Sequence, residues 1–168
     1  AEAKLSVSVT PSLLRGREDQ ELLAGGNLEL QVSASGTEPL TYNWYRGGDL
    51  YSSSSSAKLS IVGVTEQDGG FYQVEVVNAI GSVRSTIVEV AVVEPVIIMK
   101  HPVDTTVIQG NNGVLTVEVT GSEPINYQWY HNGDPLTGGT RASLNILDAQ
   151  VENSGTYEVH VSNQAGTV

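Results

Sequence analysis

The sequence contains no cysteine, so disulfide bridges and thiolate metal sites are excluded, and the redox compartment cannot be read from cystines. Positive charge is scarce as well, with eight Lys and Arg against 19 Asp and Glu and a formal net charge of -11. Such a surface opposes binding to phosphates and to anionic lipid, so no nucleic-acid partner is expected. No apolar run approaches the roughly 20 residues of a membrane-spanning helix, so no membrane insertion is expected.

Catalytic and metal-binding motifs are also missing. The sequence has no G-x-S-x-G, H-E-x-x-H, Walker or Rossmann pattern. A metal site would need its three histidines to converge with a further ligand, and solvated surface histidines are the simpler interpretation. Calcium bound by acidic residues near domain ends is less favoured than ordinary acidic surface, because no D-x-D-x-D loop is present. The histidines are His101, His131 and His160, and the acidic residues are Asp19, Glu94 and Asp104. We therefore expect neither enzyme activity nor a cofactor.

The chain is built from two copies of one unit. TEPLTYNWYRGGD, residues 37–49, matches SEPINYQWYHNGD, residues 122–134, without a gap and at an offset of 85. Within each copy the apolar residues alternate with period two in segments such as LSVSVT, NLELQVSA and YQVEVV, which is typical of strands with one buried face. Turn-rich stretches separate these segments at short intervals. The pattern predicts an all-β protein with domains at residues 1–94 and 95–168.

Four residues recur at fixed spacing in both copies. A valine lies twelve residues before a tryptophan, and a second valine lies two residues after a tyrosine. Together with the strings L-x-I, D-x-G-x-Y and N-x-x-G, this spacing resembles the intermediate-set immunoglobulin family, whose paired cysteines occupy the two valine positions. The residues are Val32, Trp44, Tyr72 and Val74 in the first copy, and Val117, Trp129, Tyr157 and Val159 in the second.

The segment WYHNGDPLTGGTRASLNI is more similar to the cysteine-free immunoglobulin-like repeats of bacterial surface and secreted proteins and of bacteriophage virion proteins. The resemblance implies two tandem Greek-key β-sandwiches without disulfides, with the eight recurring residues in their cores. Burying a valine contributes roughly 1.5–3 kcal/mol, which is comparable with the roughly 2–4 kcal/mol of a disulfide. Valine pairs therefore replace the bridge without an obvious loss of stability.

Two departures between the copies lead to specific expectations. The aspartate of D-x-G-x-Y is Asp68 in the first copy but Asn153 in the second, so a charged contact is expected to be absent from domain two. Val168 corresponds to Val83, where the strand G segment VRSTIVEVAVV begins, so domain two is predicted to lack its last strand. We expect either a longer physical chain or a strand added by another chain. The serine run at residues 52–56 is predicted to be a flexible polar loop.

A binding face is predicted on the outer surface of the sheet that carries each tryptophan. Tyr45 and Tyr130 follow the tryptophans and point to the opposite face, with Arg46 and His131 beside them. Exposed tyrosines are good binding anchors. The simpler interpretation, that each ring only covers its neighbours on the sheet, stays open.

The leading functional hypothesis is a non-catalytic extracellular module of a larger bacterial surface or secreted protein. The junction AVVEPVIIMK has no Gly or Ser, which favours a semi-rigid spacer between neighbouring immunoglobulin-like repeats of one longer chain. Its expected partners are protein or glycan surfaces, bound weakly. The alternative is a capsid-decoration or tail domain on the surface of a bacteriophage virion. A carbohydrate-binding module ranks lower, because only Tyr45, Phe71 and Tyr130 are candidate exposed aromatics.

Overall fold

The computed structural model of the protein describes residues 3–15 and 18–168 and divides them into two compact units, Ala1–Val92 and Val93–Val168. Both units are built from β-strands, and each has one three-residue 3-10 turn, Glu66–Asp68 in the first and Val151–Asn153 in the second. In the described part of the chain, no helix has the length and apolar character needed to cross a membrane.

The described residues of the first domain form ten strands in two layers. They are β1 (Ser12–Arg15), β2 (Gln20–Leu23), β3 (Asn27–Gln31), β4 (Ser33–Ser35), β5 (Thr41–Arg46), β6 (Asp49–Ser54), β7 (Lys58–Val62), β8 (Gly70–Val77), β9 (Ser82–Arg84) and β10 (Val88–Val93). One layer has the strand order β2-β10-β8-β5-β6, with β9 also on β8. The pairs β1-β4 and β3-β7 form the remaining sheets. Alternate residues of β3 and β8 are buried, as the period-two pattern predicts.

The second domain contains eight strands. They are β11 (Ile97–Lys100), β12 (Gly113–Thr116), β13 (Glu118–Thr120), β14 (Asn126–His131), β15 (Asp134–Pro135), β16 (Ser143–Ile146), β17 (Tyr157–Asn163) and β18 (Gly166–Thr167). The tryptophan sheet has the order β15-β14-β17-β18, while β11 pairs with β13 and β12 with β16. The described residues provide no counterpart of β10, and the core cluster here has five buried residues against fourteen in the first domain.

Two segments differ from the sequence prediction. LSVSVT was predicted to be a strand, but residues 5–10 lie outside every strand, and the side chains of Leu5 and Val7 are 90% and 80% exposed. The serine run was predicted to be a loop, but its first three residues belong to β6, which pairs with β5. The Ser53 hydroxyl donates to the Asn43 side-chain oxygen at 2.6 Å, so a polar cross-strand contact stabilises a strand that hydrophobic alternation did not reveal.

The tryptophan strand of each domain turns back through the same two-residue hairpin. Gly47 and Gly48 have φ angles of 60° and 96°, and Asn132 and Gly133 have φ angles of 50° and 90°. Two consecutive positive φ angles define the type I′ turn that matches the twist of antiparallel strands. The strand after the turn has six residues in the first domain and two in the second, where Pro135 lacks an N–H for further pairing.

An asparagine side chain at the end of β8 or β17 is bound to the start of its domain. The amide nitrogen of Asn78 donates to the carbonyl oxygens of Val9 and Thr37, both at 2.9 Å. Asn163 donates in the same way to Glu94 at 2.8 Å and to Ser122 at 2.9 Å. This asparagine latch is the structural role of the N-x-x-G string in both copies.

Candidate binding face

The predicted core residues lie beneath the sheet that would carry the binding face. In the first domain Val32, Trp44, Tyr72 and Val74 are all buried in one cluster. In the second domain Val117, Trp129 and Val159 are buried, while Tyr157 is half-buried and packs against them. The pairing of Trp44 with Val74 and of Trp129 with Val159 places both tryptophans on the same register of their sheets.

The two indole N–H groups differ in their partners. The Trp129 Nε1 donates to the Arg141 carbonyl oxygen at 2.8 Å, whereas the buried Trp44 Nε1 has no hydrogen-bond partner. The Gly139 carbonyl oxygen accepts a hydrogen bond from the Trp129 backbone N–H at 2.8 Å, and a Cβ at residue 139 would lie 3.0 Å from the Trp129 Cβ. The corresponding residue of the first domain is Ser54, which lies in β6 opposite Tyr42.

The tyrosine corner has the same hydrogen bond in both domains but a different charge. The Tyr72 hydroxyl donates to the Asp68 carbonyl oxygen at 2.7 Å, and the Tyr157 hydroxyl donates to the Asn153 carbonyl oxygen at 2.8 Å. Asp68 also lies 3.5 Å from the Arg46 guanidinium, a contact that neutral Asn153 cannot make. The Thr65 backbone N–H bound to Asp68 is the main cause that lowers the pKa of this carboxyl below its ordinary value.

Tyr45 lies on the outer face of the first domain in a cluster that the sequence did not predict. Its hydroxyl donates to Glu75 at 3.1 Å, and the Arg84 guanidinium carbon lies 4.9 Å from the centre of its ring. Arg84 and Ser82 also bind the Glu75 carboxylate, at 3.3 Å and 3.1 Å. Desolvation disfavours the charged form of Glu75, but these hydrogen bonds outweigh it and lower its pKa. The tyrosine ring is therefore held in one orientation beside a half-exposed cation.

The second domain has a corresponding cluster with different chemistry. The Tyr130 ring lies 4.6 Å from the His160 ring, and the His160 Nε2 lies 2.5 Å from the Glu158 carboxylate. Tyr130 corresponds to Tyr45 and His160 to Glu75 at the repeat offset of 85. Both domains thus present an aromatic ring with polar neighbours on the same outer face. Alternation along β8 and β17 would have placed Glu75 and His160 on this outer face, and the repeat alignment would have shown that they correspond.

The structure does not place Arg46 and His131 with the tyrosines beside them in sequence. Arg46 donates to the Gln67 carbonyl oxygen at 3.0 Å and lies 5.0 Å from the centre of the Tyr51 ring, at the tyrosine corner. His131 stacks on Tyr157 with ring centres 4.5 Å apart. Successive residues of a strand point to opposite faces, which explains the separation. The remaining histidines, His101 and His160, are exposed, and no group of three metal-ligating side chains occurs among residues 3–15 and 18–168.

Comparison with known proteins identifies the fold and the family. The chain is 29% identical to human cell adhesion molecule DSCAML1 over 98% of its length, and 28% identical to the muscle M-line assembly protein unc-89 of Caenorhabditis elegans over 93% of its length. It spans only 9% and 2% of these two relatives, respectively. A three-domain fragment of titin, in an E-to-A mutated variant, superposes with a TM-score of 0.84 at 20% identity, covering 96% of this chain and 63% of the fragment.

The model of the family described as immunoglobulin domain matches residues 10–78 and 94–163. The two matched blocks together cover more than half of the sequence, and they contain the tryptophan strands β5 and β14 of the two domains. The chain belongs to the immunoglobulin domain family, as a tandem pair of all-β domains without disulfides.

Proposed function

We propose that this pair of domains is a non-catalytic adhesive module that acts at the cell surface and binds a protein or glycan surface weakly. The observation that carries the proposal is the repeated outer face, where Tyr45 and Tyr130 are each fixed by contacts with charged or titratable neighbours. A rigid aromatic ring beside a cation is a typical interface anchor, because it buries area at little entropic cost. The adhesion molecule among the relatives supports the same role.

The proposal does not depend on a bacterial or bacteriophage setting. The relatives named above are animal proteins, and they give no support to the bacterial surface or virion context predicted from the sequence. The muscle assembly protein favours a second candidate, a structural module within a larger filament-associated protein. In either setting neighbouring immunoglobulin domains of a longer chain would be the nearest partners, and several weak faces in one chain would strengthen binding through avidity.

The decisive experiment compares two charge reversals on opposite sheets. Arg84→Glu changes the proposed face, while Lys58→Glu makes the same change on β7, where Lys58 pairs with exposed Glu29. Multivalent beads carrying each chain would be applied to arrays of cell-surface ectodomains and of glycans. We expect the parent chain and K58E to bind the same spots, and R84E to bind about tenfold more weakly, because a reversed interfacial charge costs more than 1.4 kcal/mol.

Three results would contradict this proposal. Equal loss in both variants would show that the effect is one of net charge rather than of the face. Unchanged binding by R84E would show that the outer face of the first domain is not part of the binding site. Binding to purified filament proteins, with no signal on either surface array, would favour the structural candidate instead.

A further inference from the structure

The second domain closes its tryptophan hairpin with an Asn-Gly dipeptide. Asn132 and Gly133 are the central residues of the type I′ turn between β14 and β15, and both are exposed. In an Asn-Gly dipeptide the following backbone nitrogen can approach the side-chain amide, because glycine has no Cβ to hinder it. The corresponding residues of the first domain are Gly47 and Gly48, which are also exposed. The first domain therefore has no side-chain amide at this turn.

The backbone of Thr156 orients the Asn132 amide. The Thr156 N–H donates to Asn132 Oδ1 at 2.9 Å, and the Asn132 N–H donates to the Thr156 carbonyl oxygen at 2.8 Å. Only the oxygen of the amide can accept from an N–H, so the first bond fixes which end of the side chain is Oδ1. Gly155 leaves room for this amide, since a Cβ at residue 155 would lie 2.7 Å from Asn132 Nδ2.

A histidine nitrogen lies beside the nitrogen of the same amide. The His131 Nε2 is 3.2 Å from Asn132 Nδ2 and 3.2 Å from the Ser154 carbonyl oxygen. A carbonyl oxygen can only accept, so Nε2 carries the proton when it binds Ser154. The His131 ring stacks on Tyr157 with ring centres 4.5 Å apart, which holds this N–H in position. The Asn132 amide thus has a hydrogen-bond donor at its oxygen and a proton donor at its nitrogen.

These two donors match the needs of succinimide formation, the reaction by which an asparagine loses ammonia. The Gly133 nitrogen gives its proton to water and bonds to Asn132 Cγ, and the negative charge that develops on Oδ1 is stabilised by the Thr156 N–H. The Cγ–Nδ2 bond then breaks, and the leaving nitrogen takes a proton from His131 Nε2 and departs as ammonia. The imidazole regains a proton from water. A water molecule opens the ring at either carbonyl and leaves an aspartyl or an isoaspartyl residue at position 132.

The other Asn-Gly dipeptide of the domain, Asn112 with Gly113, lacks this arrangement. Asn112 Oδ1 accepts from the Asp148 N–H at 3.0 Å, but among the described residues no titratable side chain is hydrogen-bonded to the Asn112 amide nitrogen. Gly113 is buried at the start of β12, opposite Ile146, so its backbone nitrogen is less free to turn toward Asn112. The two dipeptides are the same in sequence, and the fold distinguishes them.

We propose that Asn132 is a modification site at which the folded second domain promotes its own deamidation through Thr156 and His131. The product adds a negative charge to the exposed turn. An isoaspartyl linkage also adds a carbon atom to the backbone between β14 and β15, which a two-residue type I′ turn does not accommodate. The modification therefore loosens the hairpin that follows the tryptophan strand of the second domain, while the Gly47-Gly48 turn of the first domain stays unmodified.

Peptide mapping by mass spectrometry tests the proposal on the 168-residue chain during incubation at neutral pH in heavy-oxygen water. Each deamidation incorporates an oxygen atom from the solvent, so modification that occurs during the incubation is distinguished from earlier damage. Asn112 is the internal reference. In the folded chain we expect Asn132 to be modified about tenfold faster than Asn112 or more, because a positioned acid contributes at least this factor. In denaturant, where the contacts with Thr156 and His131 are lost, the two rates should become similar.

A histidine variant tests the role of the proton donor. His131→Phe keeps a ring that can stack on Tyr157 but removes the N–H, so it should slow the modification of Asn132 about tenfold and leave the rate at Asn112 unchanged. His101→Phe, at an exposed histidine outside the hairpin, is the matched control and should change neither rate. Circular dichroism shows that each variant is folded. The proposal is overturned if Asn132 reacts no faster than Asn112 in the folded parent chain, or if H131F leaves the Asn132 rate unchanged.

Discussion

Both domains have Val, Trp, Tyr and Val at the centres of their cores, but the hydrogen bonding of the tryptophan differs. The Trp129 indole donates to a carbonyl oxygen, while the Trp44 indole is buried without a partner. Among the described residues, the core cluster of the first domain has fourteen buried residues, compared with five in the second. We therefore expect that loss of core volume destabilises the first domain more, and that loss of the indole hydrogen bond destabilises the second.

The largest expected effect tests this difference in packing. Val74→Ala should lower the free energy of unfolding of the first domain by about 2–3 kcal/mol, because it leaves a cavity in a closed core. Val159→Ala should cost the second domain only about 1 kcal/mol, since Val159 belongs to a smaller buried cluster whose partly buried neighbours can move into the space. Residue-resolved hydrogen exchange measures each domain separately. Val62→Ala, at an 82% exposed valine, is the control, and equal losses at residues 74 and 159 would show that the cores are equally closed.

An intermediate effect tests the dependence on hydrogen bonding. Trp129→Phe leaves the Arg141 carbonyl oxygen without its donor, whereas Trp44→Phe removes an N–H that has no partner. Both changes reduce the ring by the same volume. The difference between their effects on the free energy of unfolding therefore measures the contribution of the indole hydrogen bond. We expect W129F to be more destabilising than W44F by about 1–2 kcal/mol in denaturant titrations resolved by domain. A W44F variant that is the more damaging of the two would mean that the Trp44 N–H finds a partner in solution.

The smallest expected effect is on the acid dependence of the stability of the first domain. The pKa of Asp68 is lowered in the folded state, so its ionised form stabilises the first domain above the ordinary Asp pKa of about 3.9. That contribution is lost as the pH falls through the lower folded pKa. Asp68→Asn should cost under about 1 kcal/mol at neutral pH and should flatten, without abolishing, the acid dependence of the first domain, because Glu75 also has a lowered pKa.

The second domain has Asn153 at the matching position and should not change its acid response in this variant. Glu66→Gln, in the same 3-10 turn, is the matched control for loss of one negative charge. Melting temperatures measured from neutral to acidic pH decide the result. Identical slopes for D68N and the parent chain would show that the Thr65 and Arg46 contacts do not stabilise the ionised carboxyl.

The sequence predicted the parts of this structure that depend on local periodicity and on the repeat. Alternation placed Val74 and Val159 inside and Tyr45 outside, and the substitution of Asn153 for Asp68 predicted the missing charge at the second corner. These features follow from strand geometry, which fixes the direction of each side chain once a strand is recognised.

Other features depend on contacts between distant residues and could not be predicted in the same way. Alternation in LSVSVT predicted a strand, but pairing requires a neighbour, and no neighbouring strand is present in the described structure. The first serines of the run form a strand through cross-strand contacts with β5. The period-two rule could have predicted that Arg46 and Tyr45 point to opposite faces of the sheet. The absence of a Trp44 partner could not be predicted in this way, because it depends on whether the carbonyl oxygen of a distant residue lies within reach of the indole N–H.

The asparagine latch has a kinetic consequence. In each domain it joins residues 69 positions apart, so it cannot form until nearly the whole domain has been brought together. Contacts of such high sequence separation slow folding, because long loops must close before they are stabilised. During that delay, the similar tryptophan segments of both domains are exposed. Each segment can then pair with a strand of the other domain instead of its own. Refolding yield should therefore be limited by exchange of strands between the copies rather than by the stability of either domain.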